Sequence, residues 1–82
     1  MRVVAELPRS DCKITIFSMN SKFIIKVEKG SLEQTYKLAE MDLLNGLNDV
    51  FKLLDEEFIQ TILERFKLMS ADFKAAYSRN DL

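Results

Sequence analysis

The stretch from Cys12 to Lys29 predicts a β-hairpin that is closed by a two-residue turn, Asn20 and Ser21. Such a turn gives every residue before it a defined neighbour on the strand that follows. In this register one face of the hairpin is almost wholly apolar, with the opposite pairs Ile14–Val27, Ile16–Ile25 and Ser18–Phe23. A slip of one residue would turn that face toward water, so the pattern itself defines the register.

The other face of the hairpin is mostly charged but carries an apolar centre. Because side chains alternate along a strand, this face receives the pairs Lys13–Glu28, Thr15–Lys26, Phe17–Ile24 and Met19–Lys22. Asn20 tolerates the positive φ that a tight hairpin turn requires, whereas Ser21 is less suited to it than glycine.

A third strand is expected from Leu32 to Leu38, where apolar and polar residues alternate after Gly30 and Ser31. A hairpin closed on those two residues extends the apolar face and gives the neighbours Tyr36–Ile25, Leu38–Phe23, Gln34–Val27 and Glu33–Glu28. The last pair brings two carboxylates together. A longer loop of equal parity would keep the same faces.

An additional strand is expected near the N-terminus. Residues Arg2 to Leu7 carry Val3, Ala5 and Leu7 in alternation, and residues 8–11, Pro-Arg-Ser-Asp, are typical of a turn.

From Met41 onward the apolar period becomes helical, with Leu43, Leu44, Leu47, Val50, Phe51 and Leu54 at three- and four-residue steps. Asp42 is available as an N-cap. Gly46 disfavours the first turn by about 1 kcal/mol relative to alanine, so the helix alternatively starts at Asn48 or Asp49.

A second helix is expected from about Glu56 to Tyr77, because Asp55 can cap it and acidic residues fill its first turn. Its apolar seam consists of Ile59, Ile62, Phe66, Met69, Phe73 and Ala76, and a flanking row of Phe58, Leu63 and Tyr77 widens it into a stripe. A stripe of this width is typical of packing on a sheet, whereas the alternative, a coiled-coil seam, tends to be narrower. At 1.5 Å per residue the helix spans roughly 33 Å, whereas seven-residue strands span roughly 23 Å. The end from Phe73 to Tyr77 should therefore extend into water or meet a second subunit.

The expected fold is a single α+β domain over residues 1–82, an antiparallel meander sheet of three to four strands followed by two helices packed on the sheet. Hydrophobic residues make up 48% and charged residues 30% of the chain, as in globular proteins. One cysteine, the absence of a secretory signal pattern in the first residues and the absence of a long apolar run together favour the cytoplasm and exclude a membrane-spanning role.

The chain lacks the residue types on which most enzymes depend. The chain has no histidine, one cysteine and two glycines, so common nucleophile arrangements, zinc sites and phosphate-binding glycine loops are missing. The acidic residues suit helical ion pairs, Lys52–Glu56 and Glu64–Lys67, better than a catalytic or metal site. Cys12 is expected to be a small core residue. We therefore expect a non-enzymatic protein with no cofactor, no metal and no small-molecule substrate.

The main hypothesis is a binding or self-association role, in which the partner is the chain itself or another protein. If the helices cover the Ile14–Val27 face, an apolar patch with a basic rim is left on the other face, and such patches mark protein contacts. The candidate partner-binding residues are Phe17, Met19, Lys22, Ile24, Lys26, Phe73 and Tyr77. In the competing arrangement, one helix covers each face of the sheet and no patch remains.

Single-stranded nucleic-acid binding is the alternative function, because strand platforms with lysines and stacking aromatic rings serve that role. A four-stranded meander followed by a helix is similar in outline to the whirly-like and Pur-type folds, which implies the same kind of platform. Only Phe17 is aromatic on this face, however, and the chain is acidic, with a pI of about 5.4.

Overall fold

The computed structural model describes residues 1–82 and confirms the α+β class. Its elements in chain order are β1 (Arg2–Pro8), β2 (Lys13–Met19), β3 (Lys22–Lys29), β4 (Leu32–Ala39), a 3₁₀ turn (Glu40–Asp42), α1 (Leu47–Leu53) and α2 (Glu56–Arg79). The four strands form one antiparallel sheet in the order β1-β2-β3-β4. The meander therefore has all four of the expected strands.

Both central hairpins have the predicted register. Ile16 lies opposite Ile25, and Tyr36 lies on the other side of Ile25, as the alternation requires. Asn20 and Ser21 adopt φ angles of 49° and 61°, which is the pattern of a type I′ turn. Gly30 has a φ of 61°, so glycine stands at the turn position where other residues would be strained.

β1 departs from the predicted alternation through a β-bulge. The register shifts between Val3 and Ala5, so Val4 is the extra residue. As a result Val3 pairs with Phe17, and Ala5 pairs with Ile16. The expectation that Val3 shares a face with Ala5 and Leu7 is wrong, because the bulge sends Val3 to the opposite face.

The core lies on one face of the sheet only, between that face and both helices. Its buried members are Cys12, Ile14, Ile16, Phe23, Ile25, Val27, Val50, Leu54, Ile59, Ile62 and Phe66. Val50 and Leu54 come from α1 and join the same cluster as the α2 residues. The competing arrangement, with one helix on each face of the sheet, is therefore wrong.

α1 is shorter than the apolar pattern of residues 43–54 suggested. Gly46 occupies its N-cap position with a φ of 55°, and the helix begins at Leu47. Asp42 lies in the 3₁₀ turn and caps nothing in α1. The predicted start near Asn48 is thus closer to the structure than a start at residue 43. The reason is that Gly46 adopts a positive φ, at which the chain turns before the helix begins.

α2 begins where the sequence predicted and continues two residues beyond Tyr77, to Arg79. The Asp55 side chain accepts a 2.8 Å hydrogen bond from the Phe58 N–H, which satisfies one free donor of the first turn. Lys67 and Glu64 form the expected ion pair at 3.4 Å. The expected pair of Lys52 with Glu56 is wrong, because α1 ends at Leu53 and Glu56 contacts Arg9, in the turn after β1, instead.

Candidate association surface

The outer face of the sheet, opposite the helices, carries five of the seven predicted binding residues. Ile24 is only 7% exposed although no helix covers this face, since Phe17 and Lys37 flank it on the neighbouring strands. Phe17 is half-buried, and Met19 is 37% exposed. The expectation of an exposed Ile24 is therefore wrong, because the side chains of the sheet itself cover it.

The lysines of the outer face differ in how far they are already paired. Lys26 Nζ lies 3.9 Å from a carboxylate oxygen of Glu28 and 3.9 Å from one of Glu33, which relieves the expected repulsion between those two acids. Lys22 and Lys37 are exposed and have no carboxylate within 4 Å. The positive charge of this face is thus partly neutralised.

The remaining two predicted residues lie where α2 extends past the sheet. No side chain beyond Phe66 is buried, and we call residues 73–79 of α2 the overhang. Phe73 is 59% exposed and Tyr77 is 54% exposed. Together with Leu32 they line a shallow cleft of about 370 Å³ at the start of β4. The apolar seam of α2 therefore continues into solvent beside one corner of the sheet.

A buried polar link sets the position of α2 over β4. The Gln34 amide nitrogen donates a 2.9 Å hydrogen bond to the Ile62 carbonyl oxygen, and the Tyr36 hydroxyl donates a 2.6 Å bond to the Gln34 amide oxygen. The Tyr36 ring meets Phe58 edge-on, with the ring centroids 5.4 Å apart. The sequence signal was an amide on an apolar strand face, but nothing in the sequence named its partner.

A second link joins the turn between β1 and β2 to the start of α2. Arg9 Nε lies 2.9 Å from Asp11 Oδ1, and Arg9 Nη1 lies 3.2 Å from Glu56 Oε1. The hydrogen bond from Arg9 lowers the pKa of Asp11 to about 2. Burial raises the pKa of the neighbouring Cys12 thiol, so the thiolate that cysteine chemistry needs is disfavoured there.

The predicted binding residues therefore form two surfaces instead of one. Phe17, Met19, Lys22, Ile24 and Lys26 share the outer face, whereas Phe73 and Tyr77 belong to the helix packed on the opposite face. Both aromatic rings of the overhang are more than half exposed, whereas the outer face has covered Ile24, leaves Phe17 half-buried and exposes Met19 at 37% and Val3 at 49%.

Comparison with protein-family models, with curated proteins and with solved structures finds no match to this chain. In the structure itself, no helix has the combination of length and apolar character that crossing a bilayer requires.

Proposed function

We propose that this chain is a small non-enzymatic association module that forms a homodimer through the side of the molecule where α2 extends past β4. The observation that carries the proposal is the overhang, where Phe73, on the seam that buries Phe66, and Tyr77 in the row beside it remain more than half exposed. An apolar seam exposed beside polar residues is typical of protein–protein contact sites. A chain of this size also gains stability when a second copy covers such a seam.

The overhang supports association better than the outer face does. An interface needs apolar anchors that lose water on binding, and aromatic side chains are the most effective ones. Phe73 and Tyr77 can both lose water in this way, whereas Ile24 has already lost it within the monomer. The outer face offers half-buried Phe17, the flexible Met19 and the half-exposed Val3, and it remains the competing surface for a partner.

Single-stranded nucleic-acid binding is weaker as a proposal, because the outer face presents one half-buried aromatic ring and Lys26 is already paired. It predicts a different behaviour in solution. Binding to phosphates weakens steeply as salt is added, because salt cations compete with the lysines for the phosphates, whereas apolar association does not weaken with salt.

Sedimentation velocity over a wide concentration range, at two salt concentrations, tests the proposal. We expect a dimer that changes little with salt. Phe73→Asp should raise the dimer dissociation constant by about 100-fold or more, because a two-fold contact loses the burial of two phenyl rings and each ring contributes about 1.5–3 kcal/mol.

Leu68→Asp is the matched control, since Leu68 is an exposed apolar residue of α2 that lies off the seam. This variant should dimerise like the wild type. A wild type that stays monomeric at every concentration would overturn the proposal. A Phe73→Asp dimer of unchanged affinity, together with a monomeric Phe17→Asp, would move the interface to the outer face.

A further inference from the structure

The outer edge of β4 is an unpaired row of main-chain donors and acceptors. Hydrogen-bonded and non-bonded pairs alternate along antiparallel strands, and the residues that flank a two-residue turn are bonded. Lys29 and Leu32 flank the turn, and at the far end the Glu40 N–H donates to the Ser21 carbonyl at 2.9 Å. The even-numbered residues of β4 therefore bond to β3, and the main-chain groups of Glu33, Thr35 and Lys37 point away from the sheet.

Nothing within the chain satisfies these outward groups. The backbone hydrogen bonds outside the helices and strands include none with a residue of β4, and no side chain bonds to its main chain. β4 is also eight residues long and free of bulges. Such an edge is a template for pairing with another strand.

The opposite edge of the sheet is protected, which makes the contrast informative. β1 contains the bulge at Val4, which bends the strand, and Pro8, which has no N–H to offer. Both features are ways in which proteins block strand pairing at an edge. The chain therefore protects one edge and leaves the other open, on the side where the overhang is exposed.

The side chains of β4 complement themselves in one register. When β4 meets a second β4 antiparallel, bonding requires that outward-pointing residues face outward-pointing residues. With the two-fold axis at Thr35, Glu33 faces the partner's Lys37, and Lys37 faces the partner's Glu33. Shifts of two or four residues place Glu33 or Lys37 opposite Thr35, Glu33 opposite Glu33, or Lys37 opposite Lys37. Lys37 has no acidic partner within the monomer, so it gains one only in the first register.

We propose that the partner at this edge is a second copy of the same chain, joined β4 to β4 about a two-fold axis at Thr35 into one continuous eight-stranded sheet. The inference rests on the homodimer proposed above and adds its geometry. Each of the three facing positions at residues 33, 35 and 37 exchanges two main-chain hydrogen bonds. The two unlike-charge pairs then select this register over its neighbours.

The same register accounts for the exposed apolar residues at the other end of β4. It places Leu32, which lies beside the overhang, opposite the partner's Leu38. Beyond Leu38 the chain enters the 3₁₀ turn and loop that expose Met41 and Leu44, which are 90% and 97% exposed. Phe73 and Tyr77 of each copy are thereby directed toward the exposed loop of the other.

Charge exchange at the edge tests the register. Glu33→Lys turns both unlike-charge pairs into lysine pairs and should raise the dimer dissociation constant about tenfold in sedimentation equilibrium. Glu33→Lys combined with Lys37→Glu restores both pairs and should return the constant to within about threefold of the wild-type value. Glu28→Lys is the matched control, because Glu28 also contacts Lys26 on the outer face but lies on β3, away from the edge.

Thr35→Pro gives an independent test, because its N–H points away from β3 and proline there removes a bond only from the dimer. We expect a folded monomer, with a circular dichroism spectrum like that of the wild type. A wild-type monomer overturns both proposals. A wild-type dimer whose affinity Glu33→Lys leaves unchanged overturns the register, and a Thr35→Pro variant that dimerises normally overturns the β4–β4 pairing itself. Either result leaves a dimer built on the overhang.

Discussion

Gln34 is the residue whose replacement tests most directly how α2 is held on the sheet. Its amide makes two hydrogen bonds, of 2.9 Å to the Ile62 carbonyl oxygen and 2.6 Å from the Tyr36 hydroxyl, in a buried position. Gln34→Leu removes both bonds while filling a similar volume with an apolar group. Since each bond contributes about 1 kcal/mol net, we expect the free energy of unfolding to fall by about 2 kcal/mol.

A double-mutant cycle separates the two bonds. Tyr36→Phe removes only the bond between Tyr36 and Gln34 and should cost about 1 kcal/mol. That bond is already lost in Gln34→Leu, so the double variant should cost about 2 kcal/mol, which is less than the sum of the single variants. Non-additivity of about 1 kcal/mol is the signature of a shared bond.

Urea unfolding followed by circular dichroism measures these differences. All variants should be compared at one low protein concentration, because dimer formation adds to the apparent stability of the folded state. Gln60→Leu is the matched control, since Gln60 is an exposed glutamine of α2 and its replacement should be nearly neutral. A Gln34→Leu variant as stable as the wild type would refute the reasoning, because α2 would then be held by apolar contacts alone.

Two further predictions concern the turns of the sheet. Ser21 has a φ of 61°, so Ser21→Gly should relieve backbone strain and raise the free energy of unfolding by about 0.5–1 kcal/mol in the same urea assay; a decrease would contradict the type I′ turn. The hydrogen bond from Arg9 lowers the pKa of Asp11 to about 2 in the folded protein, which is below its value in the unfolded chain. The ionised carboxylate therefore stabilises the fold at pH values above its ordinary pKa. This contribution is lost as the pH falls from about 4 to 2, and Asp11→Asn should lose less stability over that interval than the wild type; equal losses would contradict the assignment.

The sheet could be predicted from the sequence because its information is local. Two-residue turns fix strand register, and alternation fixes faces, so the pairs Ile16–Ile25 and Ile25–Tyr36 follow from counting. The bulge in β1 could not be predicted in this way, because Val3 and Val4 are both apolar and either can continue the alternation. The choice between them is made by packing against β2.

The contacts that position the candidate surface are long-range, because they join residues far apart in the chain. Gln34 reaches Ile62, and Arg9 reaches Glu56, across separations that no periodic pattern encodes. The exposure of Ile24 could not be predicted either, because alternation shows which face a residue occupies but not how far its neighbours cover it. The overhang, in contrast, followed from comparing the length of the helix with the length of the strands.

The one-sided core has a consequence for how the protein is made. Synthesis proceeds from the N-terminus, so all four strands are complete before α2, which supplies Ile59, Ile62 and Phe66 to the core, has been translated. Until about residue 66 has left the ribosome, only α1, through Val50 and Leu54, can cover the row of isoleucines and valines on the sheet. During that interval the nascent sheet presents part of its most apolar surface to the cell, and folding is completed only by the last third of the chain.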